Sequence, residues 1–482
     1  MIRVILLAQD ADNLKGYRNT ALELLTHAAL STGDMVVVRT RHGEMSGILM
    51  PRYESADKDH IVIKLKSGYN IGIDISNIES ISKTVKLRNQ ETPIRTTNGE
   101  TDKVTTNFEF KEENTWELFS AEKVKRDLPR IALISTGGTI ASKIDYRTGG
   151  VKSALSAVEL YESVPELADY AIVEPEVLLS EYSENLNTQH WGLIAKKVSE
   201  KWRSDDYRGI IISHGTDTMH YTASALSFAL QGIPIPIVLV GAQRSSDRPS
   251  SDAASNLLGA TLFALKSNVT GVFVAMHAGT SDDTIACHIG TRVRKNHASR
   301  RDAFESIDVE PVAIIKDEYV GVRNGWKSIR KKERSSNHKS EIHQFSVKPN
   351  FDPRAALLKF HPGFDPQLIS HIVKLGHRAI ILEGTGLGHV SRDCFPEIQK
   401  ALNAGIMIFM TSQCIWGRTG MTVYNTGRDL LEMGVVPLSD MLPETAIVKA
   451  MWVLANSSNS DSAKKLMQEN LAYEISPISP IL

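Results

Sequence analysis

The run Ile131-Ala-Leu-Ile-Ser-Thr-Gly-Gly-Thr-Ile-Ala-Ser142 constrains the fold more than any other stretch of this chain. Four apolar residues in succession read as a strand buried on both faces, and the glycines and hydroxyls that follow mark its carboxyl end. Comparable apolar runs stand at 209–213, 235–240, 271–276 and 311–315. Between the first two, Trp191, Ile194, Ala195, Val198 and Trp202 recur at helical spacing from Asn187 onward. Unbroken apolar strands alternating with helices are the mark of a parallel sheet covered on both faces, so the prediction from Leu128 onward is α/β. Open sheets of this kind build their sites at the carboxyl ends of the strands, where Thr136-Gly137-Gly138-Thr139 falls.

The same pattern divides the chain. A first α/β domain is expected over 128–348. A second, smaller one is expected over 349–482, with strands at Ala379–Glu383 and Ile406–Met410 and a closing helix from about Glu444 to Leu454. Residues 1–90 read differently. Leu22, Leu24, Leu25 and Ala28 predict a short amphipathic helix, and period-two runs at Met35–Thr40, Met45–Met50, His60–Lys66 and Tyr69–Asp74 predict short strands joined by turns at Gly43 and Ser67-Gly68. Four or five strands in so short a span suggest a small all-β barrel of SH3 or Tudor type. It serves either as a spacer or dimerisation module or as a docking point for RNA or another subunit. Residues 91–127, polar and of mixed charge, read as a linker. No internal repeat is evident.

Composition narrows the function classes. The formal net charge of -1 over 482 residues gives no whole-chain case for nucleic-acid binding. No stretch reaches the roughly 18 apolar residues of a membrane helix. The start Met1-Ile-Arg-Val-Ile-Leu-Leu-Ala-Gln-Asp10 is interrupted too soon for a signal peptide, so a cytoplasmic chain is expected. Cys287, Cys394 and Cys414 are scattered, which fits a reducing compartment, and no cysteine–histidine or carboxylate cluster has metal spacing. The segment Lys327 to Lys339 is strongly basic and reads as a solvated insertion or an RNA-backbone contact.

Two further segments join the first at the expected sheet edge. Gly209-Ile-Ile-Ile-Ser-His-Gly-Thr-Asp-Thr218 is again a strand, and it delivers Thr216 and Asp217 to its end; Arg292-Val-Arg-Lys-Asn-His297 offers Lys295. Each residue taken alone has a plainer reading. Thr139 can cap a helix, Asp217 can cap the helix from Met219, and Lys295 can be one solvated charge among arginines. Together, in this order and spacing, the three motifs resemble the bacterial-type L-asparaginase/glutaminase family over roughly residues 128 to 475, giving a two-domain asparaginase-like core behind the small barrel. The amino-terminal region resembles that of the archaeal glutamyl-tRNA(Gln) amidotransferase D subunits.

The resemblance implies a division of labour. Hydrolysing an amide by a covalent route needs a nucleophile, a proton carrier and donors for the oxyanion. Thr139 matches the family's nucleophile, and Tyr146, in the loop Ser142 to Lys152, the tyrosine that hydrogen-bonds it. Thr216, Asp217 and Lys295 match the second catalytic cluster, with Asp217 and Lys295 expected to balance each other's charge as a buried pair. Gly138, Ser183, Glu184 and Asp217 match the grip on the amino acid. Thr136 is read as structural support. Gly384-Thr-Gly-Leu-Gly-His389 lacks the ending of a nucleotide loop and reads as site wall or subunit contact. The implied activity is release of ammonia from Gln or Asn for conversion of Glu-tRNA(Gln) to Gln-tRNA(Gln). The chain itself is expected to need no metal or cofactor. ATP and Mg²⁺ belong to a synthetase-like, kinase-type partner, the E subunit of the amidotransferase, which also makes most of the contact with Glu-tRNA(Gln). A homodimer at least is expected. The competing readings are a free-standing cytosolic L-asparaginase and a non-catalytic binding protein on the same scaffold.

Overall fold

The computed structural model describes residues 14, 17–41, 43–50, 59–65, 70–83, 128–138, 142–144, 151–153, 164–244, 251–281, 283–324, 326, 345 and 347–478. Thr139, Tyr146, the linker over 91–127 and the basic segment 327–339 lie outside them. The described residues fall into two compact units, divided at about residue 128.

In the amino-terminal unit, α1 (Asn19–His27) precedes five antiparallel strands, β1 (Met35–Thr40), β2 (Gly43–Leu49), β3 (His60–Leu65), β4 (Asn70–Asp74) and β5 (Ile78–Lys83). They pair in the order β4-β3-β2-β1-β5. The alternation seen in sequence has its structural counterpart: Val36, Val38, Ile61, Ile63 and Ile73 face a common core with Ala21 and Leu25 of the helix. Tyr17 pins that helix to the sheet, donating to the Met50 carbonyl (2.7 Å) and accepting from the Val62 amide (3.2 Å). β5 carries little sequence signal; its pattern Ile-Glu-Ser-Ile-Ser-Lys buries only Ile81. Asp74 sets up its return by accepting from the Ser76 amide at 2.8 Å, which closes a 3-10 turn.

The larger unit opens with β6 (Arg130–Gly137), the hairpin strands β7 (Ser142–Ile144) and β8 (Val151–Ser153), β9 (Ile172–Glu181), α2 (Thr188–Ser204) and β10 (Tyr207–Ser213). Then come α3 (Met219–Ala229), β11 (Pro236–Val240), α4 (Ala253–Lys266), β12 (Gly271–His277), β13 (Thr284–Ile289), β14 (Val293–Lys295), β15 (Phe304–Ser306), β16 (Ala313–Lys316) and β17 (Tyr319–Val322). Among the described residues the main sheet runs β17-β16-β13-β12-β11-β10-β6-β9. Why its central strands are apolar throughout is visible in β6. Ile131 and Leu133 pack with Leu257, Ala260 and Phe263 of α4 on one face. Ala132 and Ile134 pack with Ile194, Val198, Met219 and Leu226 of α2 and α3 on the other.

Two expectations for this sheet need correction. The run 311–315 reads in sequence as one more parallel strand, but β16 is antiparallel to β13, which is itself antiparallel to β12. The loop from β12 to β13 is too short for the crossover that a parallel connection requires. The other correction is β9, which no apolar run announces. It pairs parallel to β6 as an edge strand, and its carboxylates are met by charge rather than covered by apolar groups: Glu176 by Lys197 (2.9 Å) and Lys201 (2.8 Å), Glu174 by Arg130.

The second domain is a parallel sheet ordered β18 (Ala355–Lys359), β19 (Ala379–Gly384), β20 (Met407–Ser412) and β21 (Val436–Pro437). Helices α5 (Gln367–Lys374), α6 (Phe395–Asn403) and α7 (Asn425–Met433) cover one face. α8 (Pro443–Asn456), with α9 (Ser460–Gln468) beside it, covers the other. The two domains share α3. Its opposite side brings Ala225 and Phe228 against Trp452 of α8, which explains why the helix is apolar nearly all round. Burying an aromatic of this kind contributes roughly 1.5–3 kcal/mol. Two fully buried ion pairs also fix this half: Arg292 with Asp440 (3.0 Å) and Lys449 with Glu474 (2.6 Å). Removing one member of such a pair typically costs about 3–5 kcal/mol, because the other charge is left stranded. No helix among the described residues is long and apolar enough to cross a membrane.

Candidate active site

Three strand ends meet at the carboxyl edge of the main sheet, and glycine is what lets them meet. Gly137 and Gly138 take the left-handed φ values 105° and 82°. A Cβ on Gly138 would fall inside the backbone of Gly215, and one on Gly137 inside that of Glu181. β6 therefore approaches the ends of β10 and β9 more closely than any side-chained residue would allow. Gly215 repeats the device, since a Cβ there would sit 2.8 Å from that of Ser183. Hydroxyls then stitch the turns together. Thr136 donates to the Ser213 carbonyl (2.8 Å) and Thr218 to the Ser183 carbonyl (2.7 Å). The support role expected of Thr136 matches this contact.

The turn bearing Thr216 is held from beneath by a histidine to which the motif alone assigns no role. His214 is fully buried. Its Nδ1 lies 2.7 Å from the Gly215 carbonyl and its Nε2 2.8 Å from Thr222 Oγ1, which also accepts from Trp191 Nε1 at 3.1 Å. Only a protonated Nδ1 can bond to a carbonyl, so in the neutral ring Nε2 is the acceptor for the Thr222 hydroxyl. Burial enforces this and pushes the His214 pKa down to about 4. His220, the second residue of α3, is pushed lower, to about 3, first by burial and then by Arg294 and Lys295.

Lys295 arrives from outside the main sheet, on the β14–β15 ribbon. Its Nζ donates to Thr216 Oγ1 at 2.8 Å and to Asp217 Oδ1 at 2.6 Å. The structure thus brings together Thr216, Asp217 and Lys295, the three residues that the motifs group. It also corrects one expectation. The lysine side chain is 8% exposed but that of Asp217 is 69% exposed, so this is not a buried pair. Asp217 sits beyond the strand end, open to solvent. Nor does it cap α3: the cap position is Thr218, without a side-chain capping bond. Chemically, an ammonium aimed at a hydroxyl oxygen lowers the cost of removing that hydroxyl's proton. The outward carboxylate of Asp217 can meet a cationic group on its other oxygen.

Ser183 is buried in a short 3-10 turn at the end of β9, beside Gly215, with Glu184 exposed next to it. Ser183 does not cap the following helix. Asn187 does, accepting from the Gln189 and His190 amides at 3.0 and 3.3 Å. The neighbouring loop at Gly241–Arg244 is fixed by Asp252, which accepts from the Gln243 and Arg244 amides and from Asn256. Nothing local in sequence marks that carboxylate. In the second domain, the Gly384–His389 turn closes on itself, the Thr385 amide bonding the His389 carbonyl at 2.9 Å. Among the described residues no group of three His, Cys, Asp or Glu side chains is placed to hold a metal ion.

Comparisons with known proteins bear on this geometry. The "Asparaginase, N-terminal" family model matches residues 130–327, the glutaminase/asparaginase C-terminal domain model 354–467, and the GatD N-terminal domain model 30–83. The glutamyl-tRNA(Gln) amidotransferase D subunit of Methanopyrus kandleri is 43% identical over 464 residues, covering 96% of this chain and 95% of that one. The chain belongs to the family of glutamyl-tRNA(Gln) amidotransferase D subunits. D subunits of the same name match from Thermofilum pendens, at 41% identity over 96% of this chain and 97% of that one, and from Pyrococcus furiosus, at 42% over 94% and 97%. These matches run through both units. Solved structures of two L-asparaginases share the asparaginase-like fold. The L-asparaginase of Thermococcus kodakarensis has a TM-score of 0.63 at 32% identity, covering 72% of this chain and 100% of that one. L-asparaginase I of Vibrio cholerae has a TM-score of 0.62 at 25% identity, covering 72% and 99%.

Proposed function

We propose that this chain is the ammonia-supplying component of a tRNA-dependent amidotransferase that converts Glu-tRNA(Gln) to Gln-tRNA(Gln). The observation that carries the reading is Lys295 Nζ held between Thr216 Oγ1 and Asp217 Oδ1 at the edge where β6, β9 and β10 converge. Thr139, which follows Gly138 in the chain, attacks the side-chain amide of Gln or Asn and releases ammonia, leaving an acyl-threonine. Tyr146 takes part in moving the proton of Thr139. Thr216, polarised by Lys295, activates or orients the water that frees the acid and restores Thr139. Ser183 and Gly138 receive the α-carboxylate; Asp217 and Glu184 receive the α-ammonium.

Ammonia is useful here only if a second protein has activated the glutamyl end of the tRNA. That partner, corresponding to the amidotransferase's E subunit, uses ATP and Mg²⁺ and makes most of the contact with Glu-tRNA(Gln). No cofactor or metal is assigned to this chain. It works in the cytoplasm as a homodimer that binds the partner. The names of its relatives and its match to them through the amino-terminal unit favour this over a free-standing L-asparaginase.

The test removes residues 1 to about 125 and assays the remainder with the partner. Hydrolysis of Gln or Asn should persist while amide transfer to Glu-tRNA(Gln) falls away. Brisk hydrolysis by the full chain alone, with no gain from a partner, would favour the free asparaginase instead.

A further inference from the structure

The strand that delivers Lys295 is short. β14 pairs with β15 through Val293↔Ser306, Arg294↔Glu305 and Lys295↔Phe304, outside the main sheet. A two-stranded ribbon of this size is marginal by itself. Both of its strands are instead tied at the base by the second domain and the carboxyl-terminal segment. At the foot of β14, the fully buried Arg292 donates to the Tyr473 carbonyl (2.8 Å), the Asp440 carbonyl (2.9 Å), Asp440 Oδ2 (3.0 Å) and Ser476 Oγ (2.7 Å). Thr291 Oγ1 donates to the Ala472 carbonyl at 2.6 Å, and Thr445 of α8 donates to the Thr291 carbonyl at 2.8 Å. Just past the foot of β15, Asp308 takes a left-handed φ of 56° and accepts the Gly417 amide at 3.0 and 3.2 Å. The segment that grips Arg292 is anchored in turn, because Lys449 holds Glu474 (2.6 Å) and the Met467 carbonyl (3.0 Å).

We infer that this clamp sets where Lys295 Nζ sits, and that Arg292, Asp308 and Asp440 are positioning residues for amide hydrolysis. The inference rests on the proposed role of Lys295. Arg292 lies three residues before Lys295, in the turn that leads directly into β14, so any shift of its backbone is carried into the strand. The 2.8 and 2.6 Å contacts of Nζ leave little slack before both hydrogen bonds are lost. Misplacing a catalytic group by about 1 Å can cost on the order of 10²-fold in rate. Ser183 and Glu184 stand on a different element, at the end of β9, so donor binding should follow Lys295 only through Asp217.

The test uses the full chain assembled with its partner and compares Arg292→Lys with the milder Ser476→Ala, which removes only one hydroxyl from the clamp. Ammonia release is measured as kcat and KM for Gln and Asn, alongside a melting curve. The expected result is a kcat lowered about tenfold or more in Arg292→Lys and about threefold in Ser476→Ala, with KM changed less than kcat because Ser183 and Glu184 are untouched. Should Arg292→Lys not fold, Ser476→Ala alone decides. A folded variant set with lowered melting temperature but wild-type kcat would make the clamp purely structural and overturn the inference. If the wild-type complex releases no ammonia from either amide, the amidase reading fails instead.

Discussion

The two α/β domains end their central strands in nearly the same way, and the ends differ in what meets the turn that follows. β6 and β10 run into Thr-Gly-Gly-Thr and His-Gly-Thr-Asp; β19 runs into Gly-Thr-Gly-Leu-Gly-His. In the second domain the turn is held by hydrogen bonds within itself and from the neighbouring strand β20. Thr385 bonds His389 through both its amide and its hydroxyl, and Ser412 Oγ donates to the Gly386 carbonyl at 2.6 Å. In the first domain the corresponding groups are met from outside the sheet by a lysine. A glycine-rich turn after a buried strand is thus geometry without chemistry until a separate element supplies a charge.

The sharpest way to break the comparison is to remove the nucleophile proposed for the first domain's turn. Thr139→Ala should lower amide hydrolysis by on the order of 10⁴-fold or more, the scale seen when other enzymes lose a covalent nucleophile. Stability should change by about 1 kcal/mol or less. Steady-state ammonia release with a denaturant melt checks both, and a variant keeping a tenth of its activity would exclude Thr139 as nucleophile.

A second contrast uses the glycines. Gly138 and Gly386 both have positive φ, but a Cβ on Gly138 meets Gly215 backbone, whereas one on Gly386 meets nothing within 4 Å. Gly138→Ala should cost roughly 3 kcal/mol or more, combining strain with overpacking, and should abolish hydrolysis. Gly386→Ala should cost about 1 kcal/mol, the strain alone. Equal losses in the two melts would mean that the strand ends of the first domain are not held in close contact.

Much of this is legible in sequence because burial on both faces leaves an unmistakable apolar run, as in β6, β10, β11 and β19. What escapes is whatever depends on partners far away in the chain. β9 carries Glu174 and Glu176 where a strand is expected to be apolar, and only Arg130, Lys197 and Lys201 make them tolerable. Lys295 stands among arginines that sequence cannot tell apart. In the fold, Arg292 is taken up by Asp440 and Arg294 by Glu444 (3.0 Å), which leaves Lys295 facing Thr216. The exposure of Asp217 is hidden from the motif, which shows which residues converge and not how far each projects beyond the strand end.

A further expected effect concerns acid and the support beneath the first domain's turn. His214, under Thr216, has a folded-state pKa of about 4, below its ordinary 6.5. The unfolded chain therefore binds the extra proton between these values, so stability is complete above pH 6.5 and falls as pH drops toward 4. The loss is roughly 3 kcal/mol for a single buried histidine. Denaturant midpoints taken across that window should fall less steeply in His214→Gln than in the wild type, and identical slopes would remove His214 as an acid-sensitive support.

The most direct measurement follows labelled nitrogen through the whole complex. With Glu-tRNA(Gln), ATP, Mg²⁺ and the partner present, the wild-type chain should pass amide nitrogen from glutamine or asparagine into Gln-tRNA(Gln). Lys295→Met should fail with either amide yet form Gln-tRNA(Gln) when given ammonium directly, since only the supply of ammonia is lost. If Lys295→Met transfers amide nitrogen at the wild-type rate, the cluster of Thr216, Asp217 and Lys295 is not the source of ammonia.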